Sequence, residues 1–401
     1  MTSLYDEFAW RGMIYDATEG LADVFEKERV TAYIGFDPTA SSLHVGSLLP
    51  VMALARLQRF GHTPIAIAGG GTGMIGDPSG KSQERNLLSV EQIDENLAGI
   101  KQQLARFLDF ERGNNPARIV NNAEWLAGLD LLGFLRDTGK YFTVNYMLQK
   151  ESVNRRLESE DGISYTEFSY LLLQARDFVE LFDRYNCTLQ MGGSDQWGNI
   201  TAGIDLIRRV RAKKAHGLVM PLVTTASGVK FGKTEVGTIW LDPARTSPFK
   251  FYQFWLNTDD RDVVDYLKFF TFLEREAVAA LGDAARTAPE KREAQRALAR
   301  EVTALVHGQR QVTRAEQASN VLFGEDITTL DVEDVLAVFE DVPSNSTFDA
   351  CSARVTWLCP CTNAVTSRAS ARCASRFSGA VRAASSSAAT AWRSRNVKNF
   401  R

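Results

Sequence analysis

The chain has 401 residues, 44% hydrophobic and 24% charged, which predicts a globular protein of two or three domains rather than a fibrous one. We find no apolar run long enough to span a bilayer and no cationic, apolar leader, so we expect a cytoplasmic protein with no membrane partner. Residues 351–401 carry nine basic and no acidic groups, against 37 basic and 49 acidic groups in residues 1–350, so a polyanion would have to bind the acidic body through local basic patches.

The first predicted elements form a strand-to-helix junction. Residues 1–28 resemble an amphipathic helix, and the apolar run at residues 31–36 predicts a strand, which the turn-forming residues 37–39 end. Apolar residues at helical spacing then predict a helix over residues 43–60, capped by Ser41 and Ser42 and kinked at Pro50.

Three residues are expected to lie together at that junction. Thr39, His44 and Gly46 would surround the helix N-terminus, whose free amides and positive dipole suit a phosphate group. An ordinary β-α junction with a surface histidine is the alternative, and spacing alone favours it.

The next strand, residues 63–68, leads into glycine-rich sequence. Residues 71–76 match the dinucleotide fingerprint, but Asp77-Pro78 prolongs the loop where that fingerprint requires a helix. Residues 76–82 resemble a P-loop, but three residues rather than four separate the glycines. We therefore reject both motifs.

The following segments alternate helix and strand. Helices are predicted at residues 90–110 and 125–135, with a strand at residues 118–120 between them. Such alternation predicts a parallel sheet whose ligands gather at the carboxyl ends of the strands, where Asn122 lies. A helix cap for residue 123 onward is an equally good interpretation of the pair Asn121-Asn122.

Residues 166–185 predict a helix in which Tyr170, Gln174 and Asp177 share one face beside an apolar stripe. A polar stripe at that position must find hydrogen bonds inside the protein or on a ligand, and internal bonding is the default. The strand at residues 187–191 contains Gln190, which could be an ordinary strand residue, and Cys187, expected as a buried thiol.

A turn at residues 192–196 follows that strand and opens a helix that ends near Arg211. Gly192 and Gly193 admit a flat ligand, Asp195 can accept hydrogen bonds from a ribose, and Gln196 can reach a carboxylate or phosphate, although a tight bend would look the same. The basic cluster of residues 208–214 predicts a solvated helix end, with contact to a nucleic acid as the minority hypothesis.

A strand at residues 218–225 precedes a loop with Lys230 and Lys233, which alone would be read as incidental surface lysines. The pattern of residues 248–339 predicts a mostly helical segment, with helices at residues 263–272 and 289–307. Beyond residue 346, Ala, Ser and Arg dominate and periodicity is lost, which predicts a disordered tail. A basic RNA-binding tail and an out-of-frame segment are the two interpretations, and we favour the second.

Two signatures carry a family resemblance. Residues 43–47, Leu-His-Val-Gly-Ser, resemble the HIGH signature of class I aminoacyl-tRNA synthetases, and residues 230–234, Lys-Phe-Gly-Lys-Thr, resemble their KMSKS loop. The strings at residues 35–39, 192–199 and 251–255 resemble bacterial tyrosyl-tRNA synthetases, and the likeness covers about residues 1–345. Ser47 departs from the pattern, because a histidine is usual there.

The resemblance implies an α/β fold with a Rossmann-like catalytic domain (1–245) and an α-helical anticodon-region domain (246–345). The tail (346–401) departs from the family, because relatives usually carry a small RNA-binding domain there and we find none. In such an enzyme the nucleic acid at residues 208–214 would be the acceptor stem of the tRNA. The resemblance further implies a homodimer that activates L-tyrosine with ATP and charges tRNA(Tyr), with magnesium on the phosphates and no prosthetic group. Given the tail, we expect tyrosine activation with weak tRNA charging. The alternatives are a tryptophanyl-tRNA synthetase and a catalytically impaired RNA-binding relative.

The resemblance also assigns roles to residues. Catalytic roles fall to Thr39, His44, Lys230, Lys233 and Thr234. Tyrosine binding falls to Tyr33, Asp77, Asn122, Tyr170, Gln174, Asp177, Gln190 and Gln196, with Asp177 and Tyr33 on the phenol hydroxyl. ATP binding falls to Gly35, Asp37, Gly46, Ser47, Gly192, Asp195 and Lys233, and no resident metal ligand is expected.

Overall fold

A computed structural model describes residues 3–79, 88–158, 162–226, 228, 231–234 and 237–322, and the backbone of three strands within residues 345–368. Side chains are described for these residues except at positions 233 and 234 and from 321 onward. The chain divides into two compact units, Met1–Asp242 with Thr258–Leu298, and Pro243–Asn257 with Ala299–Arg401.

Helices make up most of the described chain. The α-helices are α1 Leu4–Trp10, α2 Leu21–Lys27, α3 Leu48–Arg59, α4 Val90–Leu104, α5 Ala123–Leu126, α6 Leu131–Asp137, α7 Val144–Leu148, α8 Glu151–Leu157, α9 Tyr165–Tyr185, α10 Trp197–Arg211, α11 Pro248–Leu256, α12 Val263–Phe270, α13 Arg275–Thr287, α14 Glu293–His307 and α15 Gln309–Leu322. Short 3₁₀ turns lie at Val45–Ser47, Thr72–Met74, Gly139–Tyr141, Ser194–Gln196 and Pro289–Lys291.

The strands of the described chain form three sheets. They are β1 Asp16–Ala17, β2 Thr31–Phe36, β3 Thr63–Ala68, β4 Arg118–Asn121, β5 Cys187–Gly193, β6 His216–Met220, β7 Lys233–Thr234, β8 Gly237–Thr238, β9 Asn345–Asp349, β10 Arg354–Leu358 and β11 Val365–Arg368.

The six-stranded sheet of the first unit sets the position of the site. Its order is β1-β6-β5-β2-β3-β4, in which β1 is antiparallel to β6 and the other neighbours are parallel. The chain moves outward from β2 to β3 and β4, then returns to the other side of β2 for β5 and β6. This reversal creates a switch point between β2 and β5, which is where open α/β sheets bind ligands. The predicted Rossmann-like parallel sheet is confirmed.

The core lies on both faces of this sheet, as expected for parallel strands covered by helices. β3 and β6 are almost continuously buried, which matches their uninterrupted apolar sequences. On one face α9 and α10 pack against the sheet through residues that include Leu171, Phe178, Leu206 and Ile207. Cys187, predicted as a buried thiol, has no exposed surface.

The helix predicted over residues 43–60 begins later than expected. His44 caps a 3₁₀ turn by accepting a hydrogen bond from the Gly46 amide, and α3 begins only at Leu48. Ser42 does not cap the helix, because its hydroxyl donates to the Leu43 carbonyl. Pro50 is the third residue of α3, where its missing N–H removes no helical hydrogen bond, so the predicted kink has no cause.

Several other element boundaries also differ from the predictions. The helix expected over residues 1–28 is two helices separated by β1, because Gly12 and Gly20 adopt positive φ and break it. The helix expected over residues 125–135 is α5 and α6, and α6 begins at the cap Asp130. The expected strand at residues 218–225 is β6, His216–Met220.

The second unit is described mainly through α11 and α15, which pack together. Gln253 donates to the Ser319 hydroxyl over 2.6 Å, and the Phe251 ring lies edge-on to His307. The tail composition predicted no regular structure, whereas β9, β10 and β11 pair as an antiparallel sheet. The other tail residues, including the cysteines at 351, 359, 361 and 373, lie outside the described residues. The domain boundaries at 245 and 345 stay a prediction.

None of the helices described here combines the length and the apolar character that crossing a membrane requires.

Candidate active site

Asp177 on α9 is the most buried carboxylate of the predicted site, with 3% of its surface exposed. It accepts hydrogen bonds from the side-chain amide of Asn122 over 2.9 Å and from the indole nitrogen of Trp125 over 2.7 Å. Burial raises the pKa of Asp177 to about 7, although these two hydrogen bonds oppose the shift. The acid is therefore oriented by two donors but not fully stabilised as an anion.

Tyr33 on β2 faces the same buried region. Its ring packs edge-on against Phe178, and burial followed by repulsion from Asp177 raises the pKa of its hydroxyl well above the usual value. Within the described residues, the Tyr33 hydroxyl and the Gln190 amide oxygen are buried without a hydrogen-bond partner. Buried polar atoms of this kind are uncommon in folded proteins and are expected where a ligand supplies the partner.

Asn122 connects this region to the glycine-rich turn after β3. Its side-chain oxygen accepts from the Gly71 amide over 2.7 Å, and its amide nitrogen also donates to the Thr72 hydroxyl. The helix-cap interpretation of the pair Asn121-Asn122 holds for Asn121, whose side chain accepts from the Ala123 amide over 3.0 Å, whereas Asn122 occupies the N-cap position of α5 without a side-chain capping bond.

A second polar cluster joins the ends of β3 and β5 to α9. Gln196 donates to Asp77 over 2.8 Å, and Gln174 donates to the Gln196 oxygen over 3.3 Å. Asn199 donates to both glutamine oxygens, at 3.0 Å from Gln174 and 3.1 Å from Gln196. Asp77 also accepts from the Ser79 amide. Tyr170 is buried one turn before Gln174 on α9.

The turn after β5 approaches its neighbours closely. A Cβ on Gly192 would lie 3.1 Å from the Cβ of Gln196, and one on Gly193 would lie 2.6 Å from a carboxylate oxygen of Asp195. Asp195 is exposed, and Gln196 is half-buried. The tight turn therefore places a carboxylate and an amide at the carboxyl end of β5.

His44 follows the end of β2, across the switch point from the turn after β5. Its ring stands edge-on to Trp240, and its Nδ1 is the acceptor in the bond from the Gly46 amide, so Nε2 carries the proton in the neutral ring. Thr39 and Gly46 are exposed, Ser47 is half-buried, and Gly35 is exposed at the end of β2. Asp37 lies beside the turn after β3, since a Cβ on Gly69 would be 2.9 Å from its carboxylate.

The segment Phe231–Thr234 runs directly against the His44 turn. A Cβ on Gly232 would lie 2.5 Å from Val45 Cγ2, and the Ile239 carbonyl accepts from the Val45 amide over 3.0 Å. The backbone of Lys233 and Thr234 forms β7, while their side chains and all of Lys230 lie outside the described residues. The backbones of the two signature segments thus meet, while the approach of the lysine side chains to His44 stays a prediction.

Two residues of the site escaped the sequence analysis. The sequence predicts only a helix at Trp125, and it assigns no role to Asn199, although Asn199 lies in the string of residues 192–199 that carries the resemblance. Both lie one turn inside a helix that follows a strand end, a position that could have drawn attention to them.

The basic cluster at the end of α10 is largely paired. Arg211 binds the Asp183 carboxylate through two nitrogens, and Arg208 binds Asp205 over 2.8 Å. This pairing favours the solvated helix end over an RNA contact, although it does not test the latter.

The described residues contain no group of three or more His, Cys, Asp and Glu side chains arranged to hold a metal ion.

Comparison with known proteins gives a consistent result. Residues 26–324 match the family model described as tRNA synthetases class I (W and Y). The tyrosine–tRNA ligase of Roseiflexus castenholzii is 61% identical over 86% of this chain and 81% of its own length, and that of Geobacillus stearothermophilus is 55% identical over 85% and 82%.

Solved structures agree. A C-terminally truncated Aspergillus nidulans mitochondrial tyrosyl-tRNA synthetase has a TM-score of 0.74 and 33% identity, over 80% of this chain and 95% of its own. A Plasmodium falciparum tryptophanyl-tRNA synthetase shares the fold, with a TM-score of 0.53 and 15% identity, over 83% of this chain and 87% of its own. The chain therefore belongs to the class I tRNA synthetases of the tyrosine and tryptophan group and, within them, to the bacterial tyrosine–tRNA ligases.

Proposed function

We propose that the protein activates L-tyrosine with ATP at the switch point between β2 and β5 and transfers the tyrosyl group to tRNA(Tyr). The observation that carries the choice of tyrosine is the buried Asp177, oriented by Asn122 and Trp125 beside the unpartnered Tyr33 hydroxyl. A phenol hydroxyl would donate to Asp177 and accept from Tyr33. A phenylalanine ring would leave the buried Tyr33 hydroxyl without a partner and would give Asp177 no donor from the substrate, and the handling of such analogues by this enzyme family is a known example of hydrogen-bond specificity.

The opposite end of the substrate would bind the polar cluster around Gln174. Asp77, Tyr170, Gln174 and Gln190 are the candidate contacts of the substrate ammonium, and Gln196 that of the reacting carboxylate. The bond from Gln196 to Asp77 supports this pairing, because it holds an amide beside the acid that would take the cation. Asn199 would position both glutamines through its two bonds.

The first reaction is attack of the tyrosine carboxylate on the α-phosphorus of ATP, which forms one P–O bond and breaks the bond to the leaving pyrophosphate. The carboxylate is already ionised at neutral pH, so the step needs no general base and depends on positioning and charge stabilisation. Gly35, Asp37, Ser47, Gly192 and Asp195 would hold the adenosine part.

His44 would donate from Nε2 to the outer phosphates, with Thr39 beside it and Gly46 allowing close approach. Lys230, Lys233 and Thr234 would bind the departing pyrophosphate, a role supported by the contact between Gly232 and the His44 turn. Magnesium would neutralise charge on the phosphates. We expect phosphate oxygens to supply most of its ligands, since the described residues include no cluster of carboxylates arranged to hold a metal ion.

The second reaction would transfer the tyrosyl group to the terminal ribose of tRNA(Tyr), with helices from residue 246 onward near the anticodon region. We further propose a homodimer and a cytoplasmic location. The dimer is supported by apolar side chains of α6 to α9 that are exposed in the single chain, Leu131, Leu132, Val144 and Tyr165.

The function is tested by amino-acid-dependent exchange of labelled pyrophosphate into ATP, together with tRNA charging. We expect exchange with tyrosine and little with phenylalanine or tryptophan. Exchange driven by tryptophan would favour the tryptophan enzyme instead. Binding of tRNA without exchange for any amino acid would identify an impaired relative.

A further inference from the structure

Two buried arginines converge on the C-terminal end of α12. Arg56, on α3, donates to the carbonyls of Lys268 and Phe269, both over 3.0 Å, and to that of Thr271. Arg11 shares the Lys268 and Thr271 carbonyls and also reaches that of Leu273. A helix C-terminus presents unpaired carbonyls and the negative end of the helix dipole, so two guanidinium groups satisfy this end.

Arg56 is unusual in its burial. It is 1% exposed, and its described partners are carbonyls and the Met13 thioether rather than a carboxylate. Burial followed by repulsion from Arg11 lowers its pKa well below the usual value, while Glu7, the acid in the group, pairs with Arg11. A buried cation without its own acid is costly, so a purely space-filling role would be served better by an apolar side chain.

Helix α12 also contacts the segment that leads into the lysine signature. These contacts lie at the start, in the middle and at the end of the helix. Near its start, Asp262 accepts from the Ala226 amide over 3.0 Å. In its middle, the Tyr266 hydroxyl donates to the Thr224 carbonyl over 3.3 Å. The Phe231 ring stacks on Phe270 at 5.3 Å between centroids and lies edge-on to Tyr266 at 4.9 Å.

These contacts close into a ring that includes both signature segments. The His44 turn leads directly into α3, α3 carries Arg56, Arg56 holds α12, and α12 holds Phe231. Gly232 then packs against Val45, back in the His44 turn, with a positive φ of 80° that would strain any other residue. The distance between the two signature segments is therefore fixed by Arg56 as well as by their direct contact.

We propose that Arg56 is a positioning residue for tyrosine activation: through α12 and Phe231 it sets the place of the segment Phe231–Thr234 relative to the His44 turn. The proposal rests on the proposed function, since it assumes that these two segments share the ATP phosphates. It assigns Arg56 no contact with substrate.

The test begins with Arg56→Lys, which keeps the charge but loses the planar fork that reaches three carbonyls. Because small displacements near reacting groups cost rate, we expect the pyrophosphate-exchange rate per active site to fall about tenfold and the KM for ATP to rise. The KM for tyrosine should stay within about twofold, because the ring does not include the amino-acid pocket. Active sites are counted by tyrosine binding, so misfolded protein does not enter the rate.

A double-mutant cycle with Lys233→Ala distinguishes positioning from general weakening. If Arg56 acts through the lysine segment, Arg56→Lys should have little further effect on the exchange rate in the Lys233→Ala background. Tyr266→Phe makes a milder change to the same ring of contacts, and its effect on the exchange rate should be non-additive with that of Arg56→Lys. Additive losses in both cycles would overturn the proposal.

Arg156→Lys is the matched control, because Arg156 is equally buried but pairs with Glu167 and lies outside the ring. It should lower stability and leave the KM for ATP unchanged. An equal rise in the KM for ATP in Arg156→Lys and Arg56→Lys would contradict the proposal. Absence of tyrosine-dependent exchange in the wild-type protein would instead refute the proposed function, so the two failures can be told apart.

Discussion

The indole nitrogen of Trp125 donates a 2.7 Å hydrogen bond to the carboxylate of Asp177, which makes a tryptophan of α5, the short helix after β4, part of the proposed phenol-binding site. The bond stabilises the ionised form of an acid whose burial disfavours ionisation. It also fixes one carboxylate oxygen, while Asn122 fixes the other.

Trp125→Phe should therefore weaken tyrosine binding. Losing a donor to a buried charged group costs about 1.5–3 kcal/mol, so we expect the KM for tyrosine in pyrophosphate exchange to rise at least tenfold. Discrimination against phenylalanine should fall, because phenylalanine never used the oriented carboxylate. Trp10→Phe, on α1 outside the site, controls for the loss of an indole and should leave both values unchanged. A normal KM in Trp125→Phe would remove Trp125 from the site.

Tyr33→Phe should separate binding from stability. The Tyr33 hydroxyl is buried without a described partner, so removing it should leave the free energy of unfolding unchanged or raise it by about 1 kcal/mol. The KM for tyrosine should nevertheless rise, because the substrate phenol loses a donor. Urea denaturation and exchange kinetics on the same preparation measure both.

The matched control for Tyr33→Phe is Tyr252→Phe. Tyr252 is also buried, but its hydroxyl donates to Glu316, so this variant should lose stability and keep the KM for tyrosine. A Tyr33 variant that loses as much stability as the Tyr252 variant would show that its hydroxyl has a structural partner.

Asp177 should impose a distinctive pH dependence on stability. Its folded pKa of about 7 lies above the ordinary value of 3.8, so between these values the folded protein holds a proton that the unfolded chain has lost. The stability that this group contributes is fully present below about pH 4 and is lost as the pH rises to about 7, by an amount on the order of 4 kcal/mol.

Asp177→Asn removes this titration while keeping hydrogen-bonding capacity. The free energy of unfolding of the wild type should fall relative to that of Asp177→Asn between pH 5 and pH 8, as measured by urea denaturation. Tyrosine should reverse part of the effect, because its phenol favours the ionised acid and its binding should release protons near pH 7. Parallel pH curves for the two proteins would show that Asp177 is already ionised in the free enzyme.

The sequence could predict those parts of the site whose residues lie within a single helix or strand. Helical spacing alone placed Tyr170, Gln174 and Asp177 on one face of α9, and the apolar run at residues 31–36 predicted that Tyr33 lies in a strand. Trp125 could not be found this way, because it meets Asp177 only through the packing of α5 beside α9, 52 residues apart in sequence. Arg56 was missed for the same reason: its carbonyl partners lie more than 200 residues downstream.

The start of α3 shows a different limit. Serine caps are the usual helix signal, and Ser41 and Ser42 fit it, yet the imidazole of His44 is the capping acceptor of the 3₁₀ turn before α3, and α3 itself has no side-chain capping bond. The residue proposed to bind the outer phosphates is thus also the residue that caps the turn. A capping preference measured over ordinary helices does not anticipate that arrangement.

Leu132→Asp tests the proposed homodimer. Leu132 is 77% exposed in the single chain, so a charge there should not disturb the fold of the monomer, but it would bury an unpaired carboxylate in a dimer interface. We expect analytical ultracentrifugation to show a shift from dimer to monomer with an unchanged circular dichroism spectrum. Tyr15→Asp, at a residue 68% exposed between α1 and β1, is the control and should stay dimeric. If Leu132→Asp remains a dimer at micromolar concentration while Tyr15→Asp dissociates, the interface lies on the α1 side rather than on α6 to α9.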